Sequence, residues 1–156
     1  MEGEEAHQHL FGTILHERYR LDGFIGKGGA GVVMHGVQLS VDRPVAIKLL
    51  HAHHRRHEEA RARFQLEAKA LATLNHPGCV TLYDFGYSDE LDAYYMVMEY
   101  IPGHTLGEHF ARQPRDLAMS LWVMEHVCDA VRHAHAHGIL HRDLKPGNII
   151  LPDSES

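Results

Sequence analysis

The chain has 156 residues, of which 44% are hydrophobic, and this length and composition suit one folded domain rather than a disordered protein. The formal net charge of -6, with histidines counted as neutral, lacks the basic excess of nucleic-acid binders, so we expect no nucleic-acid partner. No apolar run reaches the ~18 residues of a membrane span. The acidic start at residues 1–5 is unlike a secretory signal, so we expect a cytoplasmic protein.

The first two thirds of the chain predict a small antiparallel sheet with one helix. Residues 1–18 are expected to form a loosely ordered lead-in, after which short alternating or β-branched segments predict strands. The helix is expected at 58–74 and is ended by Asn75-His76-Pro77-Gly78. The strands are predicted at 19–25, 31–39, 44–50, 80–87 and 93–100.

The last third predicts helices. Ile101-Pro102-Gly103 interrupts the strand pattern, and Thr105-Leu106-Gly107-Glu108 has the form of a capping box that starts a short helix. A long helix is expected at 117–137, with Asp116 as its N-cap and Gly138 as its stop. Its predicted apolar stripe comprises Leu117, Leu121, Met124, Val127, Cys128, Val131 and His135.

A glycine-rich segment follows the first predicted strand. Residues 26–33 read Gly-Lys-Gly-Gly-Ala-Gly-Val-Val, and glycines without Cβ atoms let a backbone approach phosphate groups. Dinucleotide-binding folds use a similar pattern, but they place a helix directly after the glycines. Here residues 32–33 and 44–45 continue as strand, which favours a lid over nucleotide phosphates. The motif alone leaves both interpretations open.

Lys48 and Glu67 are charged residues in apolar surroundings. Lys48 follows Val45-Ala46-Ile47, and burying an unpaired lysine is costly unless its head reaches water. Glu67 lies on the apolar face of the predicted 58–74 helix, with Phe64 and Leu71. We therefore expect the two residues to pair; the alternative is a solvated Glu67 at the margin of that face.

Residues 141–148, His-Arg-Asp-Leu-Lys-Pro-Gly-Asn, carry groups that suit phosphoryl transfer. An aspartate can take the proton of an attacking hydroxyl, a lysine can neutralise phosphate charge, and an asparagine carbonyl can bind a metal ion. With the glycine-rich segment, Lys48 and Glu67 in this order, the chain closely resembles the protein kinase superfamily. Residues 19–151 resemble most the bacterial serine/threonine kinases of the eukaryotic type.

The resemblance implies an α+β, protein-kinase-like fold. A five-stranded antiparallel small lobe with one helix, including the hinge, would occupy 19–101 after the lead-in at 1–18. The start of a truncated large lobe, with its first helices and the catalytic loop, would occupy 102–156.

The resemblance also implies roles for individual residues, with ATP and Mg²⁺ as cofactors. Asp143 would be the catalytic base, Lys145 would contact the γ-phosphate, and Asn148 would bind Mg²⁺. Lys48 would hold the α- and β-phosphates, and Glu67 would hold Lys48. The residues that would bind ATP are Ile25, Gly26, Lys27, Gly28, Gly29, Ala30, Gly31, Val33, Ala46, Lys48, Met98, Glu99, Ile101 and Ile150.

Two functions follow from the resemblance. The first is ATP-dependent phosphorylation of protein serine and threonine residues in signal transduction. The second is a catalytically inactive, truncated kinase that binds nucleotide or a partner, because residues 149–156 contain no Asp-Phe-Gly triplet. We expect no phosphotransfer by the 156-residue chain alone. We also expect exposed apolar surface on the long helix, and hence self-association.

The sequence holds 16 histidines. On the long helix His133 and His137 have the i, i+4 spacing of metal ligands, but no carboxylate or thiolate completes a set, so we expect solvated positions. His135 is expected to pack in the core, and Cys79 and Cys128 to be buried free thiols. Four further histidines cluster in the connector before the first helix: His51, His53, His54 and His57.

Overall fold

The computed structural model describes residues 2–28, 31–50, 57–114 and 116–153. The chain divides into two units, the first made of Met1–Ala72 and Val80–Tyr100, the second of Thr73–Cys79 and Ile101–Ser156. This division falls one residue before the boundary expected after residue 101. The sequence did not indicate that Thr73–Cys79 belongs with the second unit.

The first unit is built on a six-stranded antiparallel sheet with strand order β1-β2-β3-β4-β6-β5. Apolar residues at alternate positions of the central strand β4, Val45, Ile47 and Leu49, are buried in one core cluster with residues of β2, β3 and β6. The strands are β1 (Ile14–Leu15), β2 (Tyr19–Gly28), β3 (Gly31–Gln38), β4 (Arg43–Leu50), β5 (Leu82–Ser88) and β6 (Ala93–Glu99).

The five predicted strands are all present, and the short β1 adds a sixth at one edge of the sheet. The expectation of a loosely ordered lead-in is therefore wrong for the described residues. A short helix, α1 (Glu2–Glu5), precedes β1, and Leu15 is fully buried in the core. Gly12, at a φ of +82°, forms the turn that lets its N–H donate to the Leu21 carbonyl at 2.7 Å.

The helix α2 (Glu58–Thr73) packs on the same unit, as predicted. Its buried residues Ala60, Phe64 and Ala68 form a narrow apolar stripe, and Phe64 and Ala68 cluster with Met96 of β6. The exposed surface of the helix carries charged side chains such as Glu59, Arg63 and Lys69, together with Leu66, which is 67% exposed.

The second unit contains two helices and a two-stranded ribbon. Thr105 accepts a hydrogen bond from the Glu108 N–H at 3.1 Å, and the Glu108 carboxylate accepts one from the Thr105 N–H at 2.7 Å, so the predicted capping box is present. The N–H of Thr105 also lowers the pKa of Glu108. The elements are β7 (Gly103–Thr105), α3 (Leu106–Arg112), α4 (Leu117–Ala136) and β8 (Ile150–Pro152), which pairs with β7.

The long helix α4 starts and ends as predicted, with Asp116 as N-cap and Gly138, at a φ of +73°, just beyond it. Its packed face agrees with the predicted stripe only in part. Val123 and Ala134 are the buried residues, and Val127, which the stripe includes, packs with Met119 against the cluster of Leu106, Val123 and Leu151. The helix is apolar on more than one side near its start, so periodicity alone could not identify the side that packs.

The predicted exposed apolar surface on α4 is confirmed. Leu117 is 75% exposed and Leu121 is 62% exposed, and Trp122 and Met124 lie more than half exposed beside them. His135 and Cys128 are also exposed, which corrects the expectation that both are buried. Within the described ranges, no helix has the length and apolar character that a membrane crossing requires.

Candidate active site

The glycine-rich segment connects β2 to β3. Gly28 pairs with Gly31 and Gly26 pairs with Val33, so the segment is the tip of a hairpin rather than the start of a helix. A Cβ at Gly31 would lie 2.4 Å from the Leu49 carbonyl oxygen, so this glycine is required by the close approach of β4. A Cβ at Gly26 or Gly28 would meet no atom of the described residues within 4 Å. Gly29 and Ala30 lie outside the described residues.

The sheet brings four of the predicted ATP-binding residues onto one face. Val33 lies opposite Lys48, and Ala46 lies opposite Met98, and residues opposite each other on neighbouring strands point to the same side. All four are partly buried. Their neighbours in β4 point to the other side and form the core. One face of β4 therefore belongs to the main core cluster, whereas the other bears these four residues and, at Leu50 and Met96, the cluster that packs with α2.

The predicted contact between Lys48 and Glu67 is present. The Lys48 Nζ donates to both carboxylate oxygens of Glu67, at 2.7 and 3.0 Å. The Lys48 side chain is 19% exposed, whereas that of Glu67 is 44% exposed. Glu67 therefore reaches Lys48 from the rim of α2 rather than from its buried stripe. The Lys48 Nζ also lies 5.9 Å from the centroid of the Phe64 ring.

The remaining predicted ATP-binding residues lie in β2, at the end of β6 and in the second unit. Ile25 is an exposed residue of β2, and Glu99 ends β6, where its N–H donates to the Thr81 carbonyl at 2.9 Å. Lys27 is exposed near the end of β2. Ile101 and Ile150 belong to the second unit, in which Ile150 is exposed on β8.

The segment after α4 holds Asp143, Lys145 and Asn148 together. The Asn148 Nδ2 donates to the Asp143 carbonyl at 2.8 Å and to its Oδ2 at 3.2 Å. The Lys145 Nζ lies 3.5 Å from the same Oδ2. The Asp143 N–H donates to the His141 Nδ1 at 3.2 Å, a positioning contact that the sequence analysis did not predict.

This segment can offer a proton acceptor and a cation ligand. The Asp143 side chain is 68% exposed, so its carboxylate is accessible to a hydroxyl. Because the Asn148 amide nitrogen is the donor to Asp143, its oxygen is left to bind a cation, and magnesium favours such hard oxygen ligands. Among the described residues no three His, Cys, Asp or Glu side chains form a metal-binding group.

The predicted histidine pair on α4 is not arranged as a metal site. The rings of His133 and His137 lie 4.5 Å apart, and the His133 Nε2 accepts a hydrogen bond from the Asn75 N–H. In the connector, His57 is exposed. The other three connector histidines, at 51, 53 and 54, lie outside the described residues.

A family model, described as the protein kinase domain, matches residues 19–156. The chain belongs to the protein kinase family. Over 143 residues it is 40% identical to the serine/threonine-protein kinase PrkC of Bacillus subtilis, covering 91% of the chain and 22% of that protein. Over 141 residues it is 38% identical to the serine/threonine-protein kinase pkn3 of Myxococcus xanthus, covering 90% of the chain and 26% of that protein.

A solved structure gives the same result for the fold. The Mycobacterium tuberculosis PknI kinase domain is matched with a TM-score of 0.76 at 28% identity, over 90% of this chain and 56% of that one. The predicted α+β, protein-kinase-like fold is therefore confirmed, and the curated relatives that the chain matches are serine/threonine-protein kinases. The chain spans only about a quarter of the length of the curated relatives.

Proposed function

We propose that this chain carries the nucleotide-holding and proton-accepting residues of an ATP-dependent kinase that phosphorylates protein serine and threonine side chains. The observation that carries the proposal is the Lys48–Glu67 ion pair, with its Nζ–Oε1 distance of 2.7 Å, on the sheet face that also bears Val33 and Ala46. A charged pair at the edge of an apolar face suits a ligand with an apolar ring and a polyanionic chain.

The first unit supplies the groups that would hold the nucleotide. Lys48, fixed by Glu67, would neutralise the α- and β-phosphates, and the backbone of the glycine-rich hairpin would approach them closely. Val33 and Ala46 would cover the adenine ring, with Met98 behind it. Backbone groups of residues 99–101 would hydrogen-bond the adenine edge, as the family resemblance implies.

The second unit supplies the groups that would act on the acceptor. Asp143 would take the proton of the substrate hydroxyl. At the same time the hydroxyl oxygen would bond to the γ-phosphorus, and the bond between the γ-phosphorus and the departing ADP would break. Lys145 would neutralise the γ-phosphoryl group, and Asn148 would keep Asp143 in place while its own oxygen binds Mg²⁺. When bound, Mg²⁺ supplies charge neutralisation of the phosphates. A lysine two residues after the catalytic aspartate favours serine and threonine over tyrosine.

Asp143→Asn tests this function. In the protein isolated from its own cells, we expect phosphotransfer to a generic protein substrate to fall by about 10² to 10⁴, because the general base is lost. Asp153→Asn, which changes a carboxylate beyond β8, is the matched control and should keep full activity. Equal activity of the Asp143 variant and the unchanged protein would overturn the assignment.

The alternative is a catalytically inactive module that binds nucleotide or a partner, and the exposed apolar residues of α4 favour it. Leu117, Leu121, Trp122 and Met124 would provide a self-association surface. We expect the 156-residue chain alone to have no phosphotransfer activity and to form oligomers that Leu121→Lys weakens, as measured by sedimentation velocity. A monodisperse monomer would argue against this surface, and Asp143-dependent phosphotransfer would argue against inactivity. We propose the cytoplasm as the location for either function.

A further inference from the structure

Histidines join the segment Thr73–Cys79 to α4 within the second unit. The His76 Nε2 lies 2.9 Å from the Asp129 Oδ2. The Gly78 N–H donates to the His76 Nδ1 at 2.9 Å, and the Asn75 N–H donates to the His133 Nε2 at 3.4 Å. The side chains of His76, Asp129 and His133 thus link the segment to α4, although the residues that they join across the contact are more than 50 positions apart in sequence.

These hydrogen bonds define the protonation state of both rings. A neutral imidazole has one N–H donor and one accepting nitrogen, whereas a protonated one has two donors. Because the His76 Nδ1 accepts from Gly78, its Nε2 carries the hydrogen that is donated to Asp129. Because the His133 Nε2 accepts from Asn75, it carries no hydrogen. The docked segment therefore requires His133 to be neutral.

The charges around His133 oppose its protonation. Its ring centroid lies 5.1 Å from that of His76 and 4.5 Å from that of His137. Asp129 is the acid nearby, and it already accepts hydrogen bonds from Arg132 and His76. Loss of hydration, followed by the neighbouring His137 and His76, lowers the pKa of His133.

The steric fit is equally close. A Cβ added at Gly78 would lie 2.9 Å from the Cβ of Ala130 on α4, so the backbone of the segment lies directly against the helix. A proton on the His133 Nε2 would point at the Asn75 N–H, and the close fit leaves the two donors little room to separate while the segment stays docked. Protonation of His76 would keep its bond to Asp129 but would end its bond to Gly78.

We propose that Thr73–Cys79 is a pH-dependent latch on α4, docked while His133 is neutral and released when His133 is protonated. Because the pKa of His133 is lowered in the docked state, docking weakens as the pH falls. With the segment released, His133 should titrate at the ordinary histidine pKa of about 6.5, so docking is fully favourable above that pH and weakens as the pH falls through the lower pKa of the docked state. The segment begins at Thr73, the last residue of α2.

Amide hydrogen exchange of the 156-residue chain tests the latch. Between about pH 7.5 and about pH 5.5, either side of the ordinary histidine pKa, we expect the protection factor of the Asn75 amide, which donates to His133, to fall severalfold. His133→Gln keeps an accepting group but cannot titrate, so the loss of protection should disappear. His126→Gln, on the exposed side of the same helix, is the matched control and should keep it.

Two results would overturn the latch: protection that is the same at both pH values, or a pH-dependent loss that persists in His133→Gln. If the segment does not dock on α4 at either pH in the His133→Gln variant, a second measurement tests the latch. This is the pKa of His133 in the unchanged chain, read from the chemical shifts of its ring protons. A value below ~6.5 supports the latch, and one at or above it refutes the latch.

Discussion

The Lys48–Glu67 pair and the 141–148 segment are built in different ways. The pair joins a strand and a helix across 19 positions of sequence, and Lys48 is largely shielded from solvent. In the 141–148 segment the contacts of Asp143 span at most five positions, and the side chains are mostly exposed. The contact of Lys48 with Glu67 therefore depends on the packing of the first unit, whereas the contacts of Asp143 depend on local backbone geometry.

The two units also differ in the size of their cores. Ten buried residues form the main cluster of the first unit, whereas the second unit has a cluster of three, Leu106, Val123 and Leu151. Because apolar burial is the dominant favourable term in folding, the first unit should resist unfolding better.

Ile47→Ala should destabilise the first unit by about 2–5 kcal/mol, because the side chain is completely buried in the sheet core. Urea unfolding followed by far-UV circular dichroism measures the change. Val41→Ala, at a position that is 64% exposed between β3 and β4, is the control and should change stability by less than about 0.5 kcal/mol.

Leu106→Ala removes a buried side chain from the second unit. We expect the free energy of unfolding to fall by about 2 kcal/mol, the lower end of the range for such substitutions. Because the cluster around Leu106 is small, the substitution removes fewer contacts with buried neighbours. Trp122 is the only tryptophan of the chain, so its fluorescence reports unfolding of the second unit separately. A larger loss for Leu106→Ala than for Ile47→Ala would break the comparison.

Thr105→Ala should cost about 1 kcal/mol, since it removes the side chain that accepts the Glu108 N–H at the start of α3. The tryptophan fluorescence transition in urea is the measurement. Thr105→Ser, which keeps the hydroxyl, should retain most of the stability. If both variants lose the same amount, the hydroxyl is not what stabilises the helix start.

The capping carboxylate also predicts a small pH effect. The pKa of Glu108 is lowered, chiefly by the Thr105 N–H. Its contribution to stability is therefore complete above the ordinary glutamate pKa of ~4.3 and is lost as the pH falls through the lower, folded-state value. Glu108→Gln should flatten this part of the pH profile of the tryptophan transition, and an unchanged profile would contradict the assignment.

Much of the fold could be predicted from local patterns. The alternating, β-branched segments gave the five main strands, and the capping residues Thr105 and Asp116 gave the starts of both later helices. The contact of Lys48 with Glu67 was predictable because each is a charged residue in an apolar segment. These signals work because each depends on a few neighbouring residues.

What could not be predicted depends on tertiary contacts. The strand β1 has only two residues, too few for a period, although Leu15 is fully buried. The packed side of α4 could not be chosen because the helix is apolar on several sides. The docking of Thr73–Cys79 on α4 depends on His76 and His133, which are far apart in sequence.

Titration of the 156-residue chain with a fluorescent ATP analogue and Mg²⁺ tests whether Lys48 holds the phosphates of the nucleotide. We predict that Lys48→Met weakens binding at least about tenfold, equivalent to about 1.4 kcal/mol, because the phosphates lose their cation. Lys69→Met, an exposed lysine of α2, and Asp143→Asn should both leave the affinity unchanged. Equal affinities for the Lys48 variant and the unchanged chain, or an equal loss in Lys69→Met, would contradict the account.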